Sequence, residues 1–445
     1  MTDRIPADEH GFSRRAAWTT TLLVSLAFTL SYVDRQVLSL LVTPIKVSLG
    51  LSDSRIGLLQ GISFSLFYVV AALPLARLAD RTSRPRMIGW CIAAWSVMTC
   101  ACGIAGSFWQ LMAARVGVAV GEAGLPPAAL TLMADLHDRR GLARATSLFM
   151  LAPFVGGGLA LLGGGELYAA SAHWTLPVLP IIGPLERWQV LFILVGLPGL
   201  VLAPLLSFGL AEPRRGQANQ PPPPPLRDLV SFMFGNWRVS ILFLLAISLM
   251  VALLNAIIGW MPTAIMRTHG LDEAAVGIRF GPVYLIAGTA GTLFAGWLVG
   301  RAAGEHMLER TLRYMRLGSL LLLPPAALAA LASSLMTTLT LISAVVFLIS
   351  AVVSMGSIPF QLTAPSRLRA QVLAIAALGS ALLGTGLGPL VVGLLSDGFA
   401  RSGATNPLGL ALSTVAAMVL PTVAALLSIV LRHIGTPSAR GIEPQ

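Results

Sequence analysis

The sequence predicts an all-α membrane protein, with twelve transmembrane helices in two six-helix bundles, and three observations carry that prediction. Hydrophobic residues make up 56% of the 445, charged residues only 11%, and mean hydropathy is +0.80. Soluble domains carry about 25% charged residues, and only lipid can take up this much apolar surface. Twelve apolar segments long enough to cross a bilayer follow one another along the chain. A single proline-rich run separates the first six from the last six.

Residues 1–15 are polar, with Arg14 and Arg15 directly ahead of the first apolar segment. No short apolar region followed by a small-residue cleavage site is present, so the first segment reads as a retained span. The segments centre within 17–42, 55–78, 87–107, 109–136, 143–168, 189–210, 239–265, 275–300, 312–333, 336–361, 370–396 and 406–432. Many contain a mid-helix proline: Pro74, Pro126, Pro127, Pro153, Pro198, Pro262, Pro282, Pro389 and Pro421. Such kinks are tolerated where neighbours satisfy the freed backbone groups. Between the sixth and seventh segments, roughly 211–237, the chain reads Glu212-Pro-Arg-Arg and then Pro221 to Pro225. That is a stiff, extended, solvated spacer. It divides the chain into bundles at 1–210 and 238–445, as expected for a transporter built of two related halves.

A net charge of +11 and a pI near 10.8 could suggest nucleic acid. The distribution argues against it: only Lys46 is lysine, and no dense basic tract runs along one face. Twenty-two of the basic residues fall in the tails and the even-numbered loops, against six in the odd-numbered loops. The positive-inside bias therefore places both termini in the cytoplasm. Cys91, Cys100 and Cys102 share one span and read as packing residues. All six histidines fall in loops or tails, which leaves no intramembrane metal cluster or histidine dyad, and no nucleotide-binding loop implies ATP. No metal or other cofactor is expected.

The stretch from Arg115 to Pro127 carries the chemistry. It lies inside the apolar run 109–136 yet holds Arg115 and Glu122, seven residues apart on one helical face and about 10 Å apart along the axis. Charges at this depth cost several kcal/mol and are kept where they face a bundle interior or an aqueous path. The structural alternative is a static ion pair between helices. Asp34 and Arg35 in the outer third of the first span reach a depth comparable to Arg115, with Glu122 about two turns deeper, near the midplane. Asp34 is expected to hold Arg35 or Arg115. Glu122, Asp34 and Arg115 are the candidate proton-coupling residues, and Glu122 is the acid nearest the midplane. Arg35 or Arg115 could receive a phosphate or carboxylate. Asn255, Tyr284 and Gln361 are candidate substrate handles in the second half, each with helix–helix hydrogen bonding as its alternative role.

After the second span comes Ala76-Arg-Leu-Ala-Asp80-Arg81-Thr-Ser-Arg84-Pro-Arg86, which resembles the loop signature of the major facilitator superfamily. Ala76 and Ser83 replace its two glycines. Gly296-Trp-Leu-Val-Gly300-Arg301 is a degenerate echo in the second half. The resemblance implies a major facilitator fold and a cytoplasmic gate in which Asp80, Arg81 and Arg84 meet Asp135 and Arg144. Three further stretches resemble the spinster family of sphingolipid and lysolipid transporters and its bacterial relatives. They are Tyr32-Val-Asp34-Arg35-Gln-Val-Leu, Arg115-Val-Gly-x-x-x-Gly-Glu122-Ala-Gly and Trp188-Gln-Val-Leu-Phe-Ile-Leu-Val-Gly-Leu-Pro-Gly. Gly384-Thr-Gly-Leu-Gly-Pro389 is the best match in the second half. The resemblance implies a proton-coupled secondary transporter of an amphipathic lipid or hydrophobic anion, working by alternating access as a monomer in a bacterial inner membrane. Multidrug or organic-acid export and uncoupled lipid movement are the alternatives. A lipid enzyme would need an acid-base or nucleophile constellation, which the sequence lacks.

Overall fold

The computed structural model describes residues 14–180, 183–210, 212, 224–302, 304 and 306–434, apart from the side chains of Asp80, Arg139 and Leu179. Ten helical segments are long and apolar enough to cross a membrane: Arg14–Leu40, Asp53–Ala79, Phe108–Leu136, Arg140–His173, Arg187–Gly209, Trp237–His269, Glu273–Arg301, Leu335–Thr363, Arg369–Arg401 and Pro407–Ile434. Arg84–Cys102 and Met307–Leu328 supply the third and ninth spans and bring the total among the described residues to twelve. Both open on charged turns, Arg84 and Arg86 in one, and Glu309, Arg310, Arg313 and Arg316 in the other, which lowers their apolar score without shortening the helix.

Several spans are interrupted, and the sequence explains where. The fourth span breaks between Phe108–Glu122 and Leu125–Leu136. Pro126 and Pro127 lack the N–H groups that would bond the carbonyls of Glu122 and Ala123. The second span breaks at Gly61, between Asp53–Gln60 and Ile62–Arg81. The eleventh carries a π-helical turn at Ser380–Thr385, a local widening often found at functional positions. Beyond the expected helices, a two-stranded antiparallel pairing (β1, Val178–Leu179; β2, Gly183–Pro184) precedes the sixth span. The end of the expected spacer is itself helical, Leu226–Gly235, opened by an extended Pro225. Pro221 to Pro223 lie outside the described residues.

The chain forms two compact units. One holds the chain up to Arg35, Phe67–Ala160 and His173–Gln220; the other holds Gln36–Leu66, Leu161–Ala172 and the chain from Pro221 onward. In the first unit, small residues let helix backbones meet. A Cβ added to Gly196 would lie 2.8 Å from the Ser96 carbonyl, and one on Gly121 would lie 2.7 Å from the Trp95 nitrogen. Membrane helices have no hydrophobic drive toward each other, so close contact of this kind supplies the attraction. Phe28 of the first span stacks on Phe149 at 4.3 Å.

In the second unit the N-terminal end of the second span lies against the eleventh. A Cβ on Gly57 would sit 2.5 Å from the Pro389 carbonyl oxygen, and Gly61 meets the Gly386 carbonyl in the same way. The Pro389 carbonyl also accepts from Trp260 Nε1 at 2.9 Å, which ties the seventh span to the same crossing. Gly57→Val should therefore force these helices apart, at a cost of about 1–3 kcal/mol for overpacking. Its thermal midpoint in detergent should fall by several degrees. Gly163→Ala, where an added methyl meets nothing within 4 Å, should leave the midpoint in place.

Candidate functional site

The first and fourth spans bring four charged residues together inside the first unit. Asp34, Arg115 and Glu122 are 2%, 3% and 1% exposed. Nε and Nη2 of Arg35 both lie 2.5 Å from Oε2 of Glu122. The Arg35 guanidinium also faces the rings of Tyr32 and Tyr68, at 4.9 and 5.3 Å from their centres. This is the cation–π arrangement that suits a partly desolvated arginine. Oε1 of Glu122 is buried and has no hydrogen-bond partner among the described residues. Asp34 Oδ2 accepts from the Thr99 hydroxyl at 3.0 Å, and Arg115 Nη1 lies 3.5 Å from the Asp34 backbone carbonyl.

This differs from the sequence expectation in its pairing. Glu122 is held by Arg35 rather than by Arg115 on its own helix, and the Asp34 carboxylate takes a hydroxyl rather than an arginine side chain. The reason is helical geometry. Consecutive residues project about 100° apart, so Asp34 turns toward the third span and Thr99 while Arg35 turns toward the fourth span and Glu122. An arginine side chain is long enough to span the two turns of depth that separated the residues on paper. The substrate handles are less gathered. Asn255 Nδ2 donates to the Val251 carbonyl of its own helix at 2.8 Å, and Gln361 is exposed and donates to Ser357 Oγ at 3.2 Å. Tyr284 is buried, 6.4 Å from the Phe280 ring. Asn255 and Gln361 thus bond within their own helical segments.

At the other end of the first unit, Arg84 is the hub. Nη1 meets Asp135 at 2.6 Å and Nε meets Glu212 at 2.8 Å, while the second Glu212 oxygen accepts from the Arg84 backbone N–H at 2.6 Å. The ends of the third, fourth and sixth spans are thereby joined. The Asp80 side chain lies outside the described residues, and Arg81 and Arg144 are exposed. Nearby, Thr21 Oγ1 lies 2.8 Å from His137 Nε2, and burial against the first span lowers the His137 pKa below the usual imidazole value.

The second unit has an inverse hub that sequence reasoning missed. Asp53, 3% exposed, receives Lys46 at 2.6 Å, Arg267 at 2.8 and 2.9 Å, and Ser396 Oγ at 2.7 Å. Asp397 in turn accepts from the backbone N–H groups of Asp53 and Ser54 at 3.0 and 2.9 Å. Gln36 and Gln60 add bonds to the carbonyls of Ile258 and Gly259, each at 3.1 Å. The signal was available in Lys46, the single lysine of the chain, but a loop lysine reads first as a topology marker.

Twelve spans, paired intramembrane charges and an ion hub in each unit suit a membrane transporter, and comparison with known proteins agrees. The sequence model of the Major Facilitator Superfamily matches residues 24–389. The chain belongs to the Major Facilitator Superfamily. As a member it is a transporter and not an enzyme. It is 30% identical over 426 residues to an MFS-type efflux pump of Mycolicibacterium smegmatis, covering 93% of this chain and 92% of the relative. It is 27% identical over 403 residues to the sphingosine-1-phosphate transporter SPNS2 of Mus musculus, covering 87% of this chain and 71% of the relative. Among solved structures, a bacterial homologue of the human lysosomal transporter Spinster, inward-facing and unoccupied, matches with a TM-score of 0.75 at 26% identity, over 95% of this chain and 96% of that one.

The Asp53 hub generates a direct expectation for this superfamily member. Asp53→Asn removes the charge that Lys46 and Arg267 share but keeps the side-chain shape. A cysteine placed at Gln60 should then react several-fold faster with a membrane-impermeant thiol reagent supplied from the Lys46 side. An unchanged rate would mean that the Asp53 charge does not hold this end closed.

Proposed function

We propose that the protein is a proton-coupled secondary transporter of an amphipathic anion of the lysolipid or sphingolipid kind. It moves its cargo by alternating access as a monomer, with both termini in the cytoplasm of a bacterial inner membrane. The observation that carries this reading is the pair between part-buried Arg35 and buried Glu122. Two carboxylates and two arginines balance in this cluster, so adding or removing one proton changes its net charge in a low-dielectric site. Ionised Glu122 occupies Arg35. Protonated Glu122 frees it to receive a phosphate or carboxylate, for which the guanidinium fork is well shaped. Proton and cargo thus compete for, or cooperate through, one side chain.

The gates follow from the two hubs. Asp80, Arg81, Arg84, Asp135 and Arg144 form the cytoplasmic gate, with Glu212 as its added member. Asp53, Lys46, Arg267 and Ser396 form the outer one. Arg115 and Asp34 keep the cluster charged and positioned, and Asn255, Tyr284 and Gln361 offer polar contacts from the second half. The cargo class is supported by the similarity to a sphingosine-1-phosphate transporter and to the bacterial Spinster homologue. The similarity to an efflux pump over nearly the whole chain supports a second reading, export of drugs or organic acids by the same coupling.

Uptake into proteoliposomes with and without an imposed pH step tests both readings, using a panel of lysolipids, sphingoid bases and amphipathic drugs. Wild type should concentrate its cargo only with the pH step. Glu122→Gln should still exchange cargo down its own gradient but should lose all accumulation driven by the step, because the side chain no longer binds and releases a proton. Arg35→Gln should lose both, since it removes the anion receptor. If Glu122→Gln still accumulates cargo in response to the step, the coupling carboxylate is Asp34.

A further inference from the structure

A second site lies on the outer flank of the first unit, away from the charge cluster. The second, third and fourth spans enclose a cavity of about 1120 Å³, at the upper end of the usual range for ligand sites. Its floor includes two glycines of the fourth span, Gly117 and Gly121. They pack directly on Met98 and Trp95 of the third span, where an added Cβ would lie 2.5 and 2.7 Å from those residues. Arg115 and Glu122 project from the opposite face of the same helix, so the cavity and the ion cluster are separated by its thickness, about 10 Å.

The walls are apolar and open to the side. Trp90, Val97 and Leu78 are 75%, 48% and 46% exposed along it. Polar groups are confined to one end, where Thr82, Ser83 and Arg86 line the mouth. Arg84, two residues before Arg86, is taken by Asp135 and Glu212. Arg86 is exposed and has no ion-pair partner among the described residues. From Arg86 to Val97 the helix rises about 16 Å, close to half of a hydrocarbon core about 30 Å thick. Trp90 sits one turn inside Arg86, the depth at which tryptophan favours the membrane interface. The cavity therefore runs from headgroup level to about the bilayer midplane and has the dimensions of one leaflet.

We propose that this cavity binds one anionic phospholipid from the leaflet that meets the loop between the second and third spans. Its phosphate lies on Arg86 and Thr82, and an acyl chain lies over Ala94 and Val97 on the glycine floor. The charge at the mouth selects the occupant: a cation at headgroup depth, with no carboxylate bonded to it among the described residues, complements a phosphate, while the slot below it accepts only hydrocarbon. The assignment holds whichever cargo and coupling ion the transporter uses.

Native mass spectrometry of the full-length protein in mild detergent tests it, with phosphatidylglycerol and phosphatidylcholine titrated separately. Wild type should retain a phosphatidylglycerol adduct with several-fold preference over phosphatidylcholine. Arg86→Gln should abolish the preference. Ala94→Phe, which fills the slot from an exposed position, should reduce adducts of both lipids several-fold. Both substitutions are at exposed positions, so unchanged thermal midpoints without added lipid verify folding. Soluble glycerol 3-phosphate, which has the phosphate without the chain, should displace nothing. The proposal is overturned if Arg86→Gln keeps the preference, if Ala94→Phe binds both lipids as wild type does, or if glycerol 3-phosphate competes.

Discussion

The structure depends first on the bond between Arg35 and Glu122. Each is a charge that its environment penalises, and leaving either unpaired at this depth costs several kcal/mol. The pair explains why both residues persist in segments that are otherwise apolar. It also explains why the first and fourth spans must lie side by side. The chain passes from one compact unit to the other between Arg35 and Gln36. Arg35 turns to Glu122 in the first unit, and Gln36 bonds the Ile258 carbonyl in the second. One peptide step thus separates the charge pair from the segment that anchors the outer end of the first span.

The two hubs share the make-up of this pair, in which Arg35 is 23% and Glu122 1% exposed: one buried residue with part-exposed partners. Asp135 and Glu212 are 47% and 27% exposed, and Lys46 and Arg267 are 33% and 30% exposed. The side chains of Arg84 and Asp53 are themselves 5% and 4% exposed, so removal of their partners leaves a buried charge, at a cost of several kcal/mol. None of these pairs parts cheaply unless another charge or a proton replaces one partner. The hubs are also chemically inverse. Arg84 gathers two acids, and Asp53 gathers two bases. Each is therefore a single residue whose loss strands more than one partner.

Much of this was legible in the sequence. The twelve spans and the intramembrane charges at Asp34, Arg35, Arg115 and Glu122 follow from hydropathy and from the rarity of charge in lipid. The Arg84–Asp135 contact followed from the loop signature. The pairing within the cluster did not. Depth estimated from residue rise treats side chains as points, whereas Arg35 extends far enough to cross two turns. The azimuth that separates Asp34 from Arg35 cannot be known until the neighbouring helices are placed. The Asp53 hub was hidden for a different reason. Its members Lys46, Asp53, Arg267 and Ser396 are scattered over 350 residues of chain, and each looks ordinary alone. Only the glycine-mediated contact of the second and eleventh spans brings them together. Glu212 was hidden because it opens a stretch whose composition reads as spacer.

The fourth span shows how local sequence choices combine to build the site. Gly121 allows its backbone to touch the third span at Trp95. Thr99, one turn along from Trp95, is then carried to within 3.0 Å of Asp34. That hydroxyl fixes the Asp34 carboxylate away from Arg35, which leaves the guanidinium for Glu122. Just beyond Glu122, Pro126 removes the N–H that its backbone carbonyl would have accepted, and the helix breaks there. A side chain at Gly121 would push back the third span and, with it, Thr99. Asp34 would then be released to compete for Arg35, and the charge cluster would lose the arrangement in which one carboxylate alone controls the arginine. The small residues on one face of the helix thus set how the two carboxylates and the arginine of the cluster are paired.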